Sequence, residues 1–239
     1  MRMLVLGSLL LAGLSPPSPA PSAVMAEDMC EVTGWSMSWG FKESFRAYVS
    51  GAIAGGEWGV AGDVSYSTPL FAVESTRGQI ASDGQSGRLD ATGSMTFYGH
   101  DGLLDQTLSD PRVIVNGSTA EIVFDVEGDT QEGLSVTATD VGFVSVDISG
   151  ATIDGDTWSV SGAPTLLTDE GAEAFGTYPA GEPFDPLDLT VDVTPGCLAE
   201  GPSGAWFLGL GLGSAVTVGV AIVLVRIWRG RERPLPAES

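Results

Sequence analysis

Histidine, cysteine and positive charge are scarce in this chain. Of 239 residues one is histidine (His100), two are cysteine, and ten are lysine or arginine against 31 aspartates and glutamates. One histidine and two cysteines cannot assemble a Cys/His zinc site. A Ser-His-Asp triad would have to run through His100. Residues 27–204 hold five of the cations (Lys42, Arg46, Arg77, Arg88 and Arg112) beside 29 acids, a net charge of −24. Such a surface repels phosphate backbones and excludes nucleic acid as a partner. Carboxylate pairs at this density arise by chance, so they carry no argument for a hydrolase.

The mean hydropathy is nevertheless +0.20. Position resolves the conflict, because the apolar residues concentrate at the ends. Residues 1–26 read as a secretory signal: Arg2, an apolar stretch Leu4–Leu14, a Pro/Ser segment, and Val24-Met25-Ala26 ahead of the cleavage point. From Ala205 to Val225 no charge interrupts the apolar run. As a helix it would cover roughly 30 Å, one hydrocarbon core. Trp206 and Trp228 bracket it, and Arg226, Arg229, Arg231 and Arg233 follow at once. Positive charge stays in the cytoplasm, so the tail 226–239 is expected inside. The domain 27–198 and a linker 199–204 are then expected outside, as in a single-pass type I protein of the cell membrane. Cys30 and Cys197 bracket the exported domain, and in an oxidising compartment such a pair reads as a structural disulfide. A redox-active pair would want close spacing such as C-x-x-C.

Between the cysteines the pattern is short strands and dense turns. Strand signals fall at Trp58–Tyr66, Leu70–Glu74, Arg88–Phe97, Leu134–Val141, Phe143–Ile148, Ala151–Val160 and Leu187–Val193. Arg112–Val126 reads as a hairpin about Asn116-Gly117, the residue pair of a type I′ turn. With no βαβ rhythm and no internal repeat, the fold class is mainly β: an antiparallel sandwich or barrel with one or two short helices, plus the transmembrane helix. One helix stands out. Phe41, Phe45, Tyr48 and Val49 are spaced i, i+4, i+7, i+8, and Lys42 and Arg46 lie one turn apart beside that stripe. Two readings stay open here: a site for an apolar ligand with carboxylate ends, or a stripe packed on the sheet with its cations paired to acids.

The run Gly34-Trp35-Ser36-Met37-Ser38-Trp39-Gly40-Phe41-Lys42-Glu43-Ser44-Phe45-Arg46-Ala47-Tyr48-Val49 resembles the opening of the HtaA domain. That family comprises haem-transport-associated surface proteins of Actinobacteria. The resemblance continues through Gly55-Gly56-Glu57-Trp58, Phe97-Tyr98-Gly99-His100-Asp101-Gly102-Leu103-Leu104 and Ser109–Val113. It ends at Tyr178-Pro179-Ala180-Gly181-Glu182-Pro183-Phe184-Asp185-Pro186-Leu187. It implies one copy of the domain, ferric haem (haem b) held by a tyrosinate at Tyr48, and His100 beside it supporting the ligand by hydrogen bonding. It also matches Tyr178 to a later tyrosine implicated in haem binding.

The chemistry agrees: Fe(III) is a hard acid and phenolate a hard anionic oxygen donor, one that disfavours the ferrous state. Proton competition for the phenolate offers a route to release. Tyr66 and Tyr98 are the competing tyrosines. Phe41, Phe45, Leu103 and Leu104 are candidate walls for the porphyrin. Lys42, Arg46, Ser44 and Ser50 are candidate partners for its propionates. The expected function is capture of haem, free or from host haemoproteins, and its relay through other surface proteins towards an ABC-type importer. No enzymatic activity is expected. The competing class is a non-haem adhesin or interaction module on the same anchor.

Overall fold

In a computed structural model that describes residues 28–130 and 133–199, the strand and turn signals become thirteen strands and two short helices. The expected signal peptide, membrane span and basic tail, and all but the first residue of the linker, lie outside the described residues. Among the described residues no helix is long and apolar enough to cross a membrane. The strands are β1 (Met29–Trp39), β2 (Glu57–Gly62), β3 (Val64–Ser67), β4 (Leu70–Ser75), β5 (Arg77–Ala81), β6 (Ser86–Asp90), β7 (Gly93–Gly99), β8 (Leu104–Asn116), β9 (Thr119–Asp129), β10 (Ser135–Asp147), β11 (Thr152–Asp154), β12 (Thr157–Leu167) and β13 (Pro183–Val193). Helix α1 is Glu43–Ser50 and α2 is Asp169–Phe175.

Eight strands pair antiparallel in a circuit that closes on itself: β1, β5, β6, β8, β9, β10, β12, β13 and back to β1. Closure removes most free sheet edges, the usual liability of an all-β chain. At one end the circuit flares. There Trp35–Trp39 of β1 pairs with β4, which carries β3, while the first half of β8 pairs with β7, which carries β2. Helix α1 follows β1 directly and sits at that flared end. The Cys30–Cys197 disulfide is formed, with Cα atoms 5.7 Å apart, and fastens the end of the described chain to the start of β1.

Several boundaries differ from the sequence pattern for identifiable reasons. Trp58–Tyr66 and Arg88–Phe97 are each two strands, and both breaks meet at Asp63. Its carboxylate accepts from the Thr92 N–H and from Arg77, pinning the two corners together. Leu134–Val141 and Phe143–Ile148 merge into β10 across a bulge at Asp140, whose N–H donates to Asp125. In the β8–β9 hairpin Asn116 pairs with Thr119, so the loop residues are Gly117 and Ser118. Positive φ occurs only at Gly117, the II′ pattern rather than I′. Strand β1 has no counterpart among the expected strands. Its alternation of buried residues (Cys30, Val32, then Trp35, Met37, Trp39) slips by one at a bulge near Gly34. Helix α2 was equally unmarked, although Thr168 caps it by accepting from the Gly171 N–H and Gly176 ends it in the left-handed conformation.

Phe41 is the main correction. It precedes α1 rather than opening it, at φ 61°, and this unusual backbone turns its ring into the centre of the core. Trp39, Phe45, Phe71, Phe97, Phe143, Phe175 and Phe184 surround it with ring centroids 5.0–6.5 Å away. It is wholly buried and lines no open slot.

Candidate functional site

Helix α1 is too short to stand alone; tertiary contacts hold it in place. Phe45 and Val49 are buried beneath it. Asp185 accepts the Glu43 N–H at 3.0 Å and an Arg46 N–H at 3.2 Å, while Arg46 Nε donates to the Gly40 carbonyl at 2.6 Å. Lys42, the residue before the first turn, donates to Glu182 and to the Pro183 carbonyl, both at 2.8 Å. The two cations expected at a ligand's carboxylates are therefore neutralised by acids of the 182–185 segment. The second of the two open readings describes their surroundings.

The outward face of α1 presents Tyr48. Its hydroxyl is hydrogen-bonded to Nε2 of His100, which lies in a short 3₁₀ turn, His100–Gly102, between β7 and β8. Three successive positive φ values (52°, 55° and 96° at His100, Asp101 and Gly102) build that turn. The loop after α1 is drawn against it, with the His100 N–H donating to the Ala54 carbonyl at 2.7 Å. A Cβ at Gly56 would overlap the Tyr98 carbonyl oxygen and lie 2.8 Å from Gly99 Cα. The Gly55-Gly56 and Gly99-His100 signatures are thus the two sides of one backbone-to-backbone contact, and that contact delivers the imidazole to the phenol.

Burial first, and the nearby Tyr178 second, push the Tyr48 phenol above its ordinary value. The raised value favours the protonated hydroxyl, a form that can donate to Nε2 of His100. Tyr178 packs on Phe175 with ring centroids 6.2 Å apart and on Phe45 at 6.4 Å. Its hydroxyl lies 3.5 Å from that of Ser44, which is exposed on α1. Tyr48 and Tyr178 both pack on the fully buried Phe45, at 6.3 and 6.4 Å between ring centroids, and their hydroxyls reach His100 and Ser44 respectively. Ser50 turns back to the Arg46 carbonyl at 2.9 Å. Leu104 is wholly buried, whereas Leu103 is 64% exposed beside His100. Ile53, unmarked in the sequence, is 79% exposed on the loop tied to His100. Of the competing tyrosines, Tyr66 packs on Trp58 and Phe71, and Tyr98 is exposed on β7. Among the described residues no three His, Cys, Asp or Glu side chains gather as metal ligands. A groove of about 740 Å³ along Leu134–Val141 and α2 is lined by none of the clustered residues.

The fold has counterparts among solved structures. The C-terminal domain of HtaA from Corynebacterium glutamicum superposes with a TM-score of 0.64 at 28% identity, covering 68% of this chain and 98% of that one. The N-terminal domain of the same protein gives 0.56 at 28% identity over the same shares. Heme binding protein HtaB of that organism gives 0.52 at 22% identity, a likeness of fold alone, over 70% of this chain and 97% of its own. No curated protein matches the sequence. The family model described as Htaa matches residues 34–190, about two thirds of the sequence and the whole of the site described above, and the chain belongs to the HtaA family.

Proposed function

We propose that this chain is an exported, membrane-anchored protein that captures ferric haem through the Tyr48 phenolate and passes it on towards an importer. The observation that carries the reading is the Tyr48–His100 hydrogen bond at an open, partly apolar surface. A lone phenol is a poor site for a bare ion but a sufficient one for iron that already has four porphyrin nitrogens. To ligate, Tyr48 must lose its proton, and His100 Nε2 is the acceptor in place to take it. The imidazole then donates that hydrogen bond back to the phenolate oxygen and lowers the cost of its charge. Exposed Ile53 and Leu103 offer apolar support for a flat macrocycle, and the Ser44 and Tyr178 hydroxyls offer hydrogen bonds to propionates. Lys42 and Arg46 already face Glu182 and Asp185, so they are not available as free cations. Membership of the HtaA family, and a similar fold in a protein described as heme-binding, support the same reading.

The test is spectroscopic. The full chain in mild detergent, mixed with ferric haem, is expected to develop a Soret band and the charge-transfer bands of tyrosinate ligation. Tyr48→Phe is expected to lose the charge-transfer bands and most of the retention. A wild-type protein that stays colourless, or a Tyr48→Phe variant with an unaltered spectrum, overturns the reading; the colourless case would place the domain among display and adhesion modules.

A further inference from the structure

We infer that Lys42 is a positioning residue, a clamp that holds the Tyr178 ring at the edge of the haem surface. The inference rests on the reading above. Lys42 is 9% exposed, unusual for a lysine. Its ammonium has three N–H groups. Two are taken by Glu182 Oε1 and the Pro183 carbonyl, each at 2.8 Å. What remains of the charge lies over the Tyr178 ring, 4.8 Å from its centroid, with Phe184 at 5.4 Å. A desolvated cation at that distance from a ring face is attracted to its quadrupole.

Tyr178 sits in the connection between α2 and β13, where regular hydrogen bonding is sparse. The Gly181 N–H donates to the Leu167 carbonyl and the Leu167 N–H to the Glu182 carbonyl, which tie the far end of the connection to β12, while the Tyr178 side chain itself is held by ring contacts and the Ser44 hydroxyl. Lys42 stands at the junction of that connection with the start of α1. It therefore sets the gap between the Tyr178 hydroxyl and Ser44, and through α1 the gap to Tyr48. The cation proposed from sequence as a haem contact acts instead through the tyrosine beside it.

The test is a double-mutant cycle on haem retention in the full chain, read as the rate of haem transfer to excess apomyoglobin. Lys42→Gln keeps hydrogen-bond donors for Glu182 and Pro183 but removes the charge over the ring, and is expected to speed haem loss about tenfold. The Tyr48 ligation bands should be unchanged, while the melting temperature is expected to fall because the Lys42–Glu182 ion pair is lost. In a Tyr178→Ala background the same substitution is expected to change the rate less than twofold, because its target is gone. Lys42→Arg, which keeps a cation at the ring, is expected to stay near wild type. An equal acceleration in both backgrounds, or none in either, overturns the clamp while leaving the haem reading intact; absence of a Soret band in the wild type overturns that reading instead. Should Lys42→Gln fail to fold, Glu182→Gln, which frees the ammonium to leave the ring, is expected to give the same non-additivity with Tyr178→Ala, and additivity there overturns the clamp.

Discussion

His100 has two separable jobs. Its backbone occupies the left-handed region at φ 52°, a conformation that costs most residues but is tolerated by His, Asn and Asp. Its ring then reaches the Tyr48 hydroxyl. Replacing it with alanine would disturb both jobs at once, so His100→Asn is the informative change. Asparagine keeps the turn while its shorter side chain falls short of the phenol. Groups that orient a metal ligand typically contribute 10–100-fold to retention. His100→Asn is therefore expected to lose haem to apomyoglobin about 10–100-fold faster, at an unchanged melting temperature. A wild-type rate would mean that the imidazole has no part in holding the ligand.

At the scale of elements, helix α1 and the β7–β8 turn meet because Gly56 has no side chain. Any Cβ there would be driven into the Tyr98 carbonyl and Gly99. Overpacking against backbone typically costs 1–3 kcal/mol. Gly56→Ala is expected to lower stability by about 2 kcal/mol in denaturant unfolding and to loosen the Tyr48–His100 couple, weakening the tyrosinate charge-transfer bands. Gly59→Ala, three residues on in β2 with nothing within 4 Å of the added methyl, is the matched control and is expected to be neutral. These elements also show what a sequence can and cannot disclose. Tyr48, His100 and the glycines were legible because each lies in a short, residue-rich signature. The partners of Lys42 and Arg46 were not, since Glu182 and Asp185 lie 140 and 139 residues away along the chain. Helical spacing correctly located Phe45, Tyr48 and Val49 but could not reveal that Phe41 leaves the helix through a left-handed backbone. Strand β1 was hidden by its bulge. Leu103 and Leu104 are adjacent and similar in type, and only the fold decides that one is exposed and the other buried.

For the molecule as a whole the dominant asymmetry is charge, and the folded state treats its acids in two opposite ways. Hydrogen bonds depress Asp63 (from the Thr92 N–H first), Asp147 (from the Ser149 hydroxyl) and Asp188 (from the Ser161 hydroxyl). In each case the unfolded chain binds the proton more readily. That stability is present above about pH 4, the ordinary aspartate value, and is lost as pH falls through the depressed values. Glu121 runs the other way: burial, then the neighbouring Glu170 carboxylate, raise its pKa. The folded chain binds its extra proton, so this contribution is complete below about pH 4.3 and is lost as pH rises through the raised value. Self-repulsion of a domain at −24 acts in the same direction as Glu121. Stability should therefore peak on the acid side of neutral, near about pH 5, and decline on both flanks. Glu121→Gln removes one cause of the neutral-side decline. In thermal unfolding of the full chain it is expected to raise the melting temperature at pH 7 by about 2 °C and to converge on the wild-type value near pH 4. Curves that stay parallel from pH 4 to 8 would assign the neutral-side loss to net charge alone, with no special part for the Glu121–Glu170 pair.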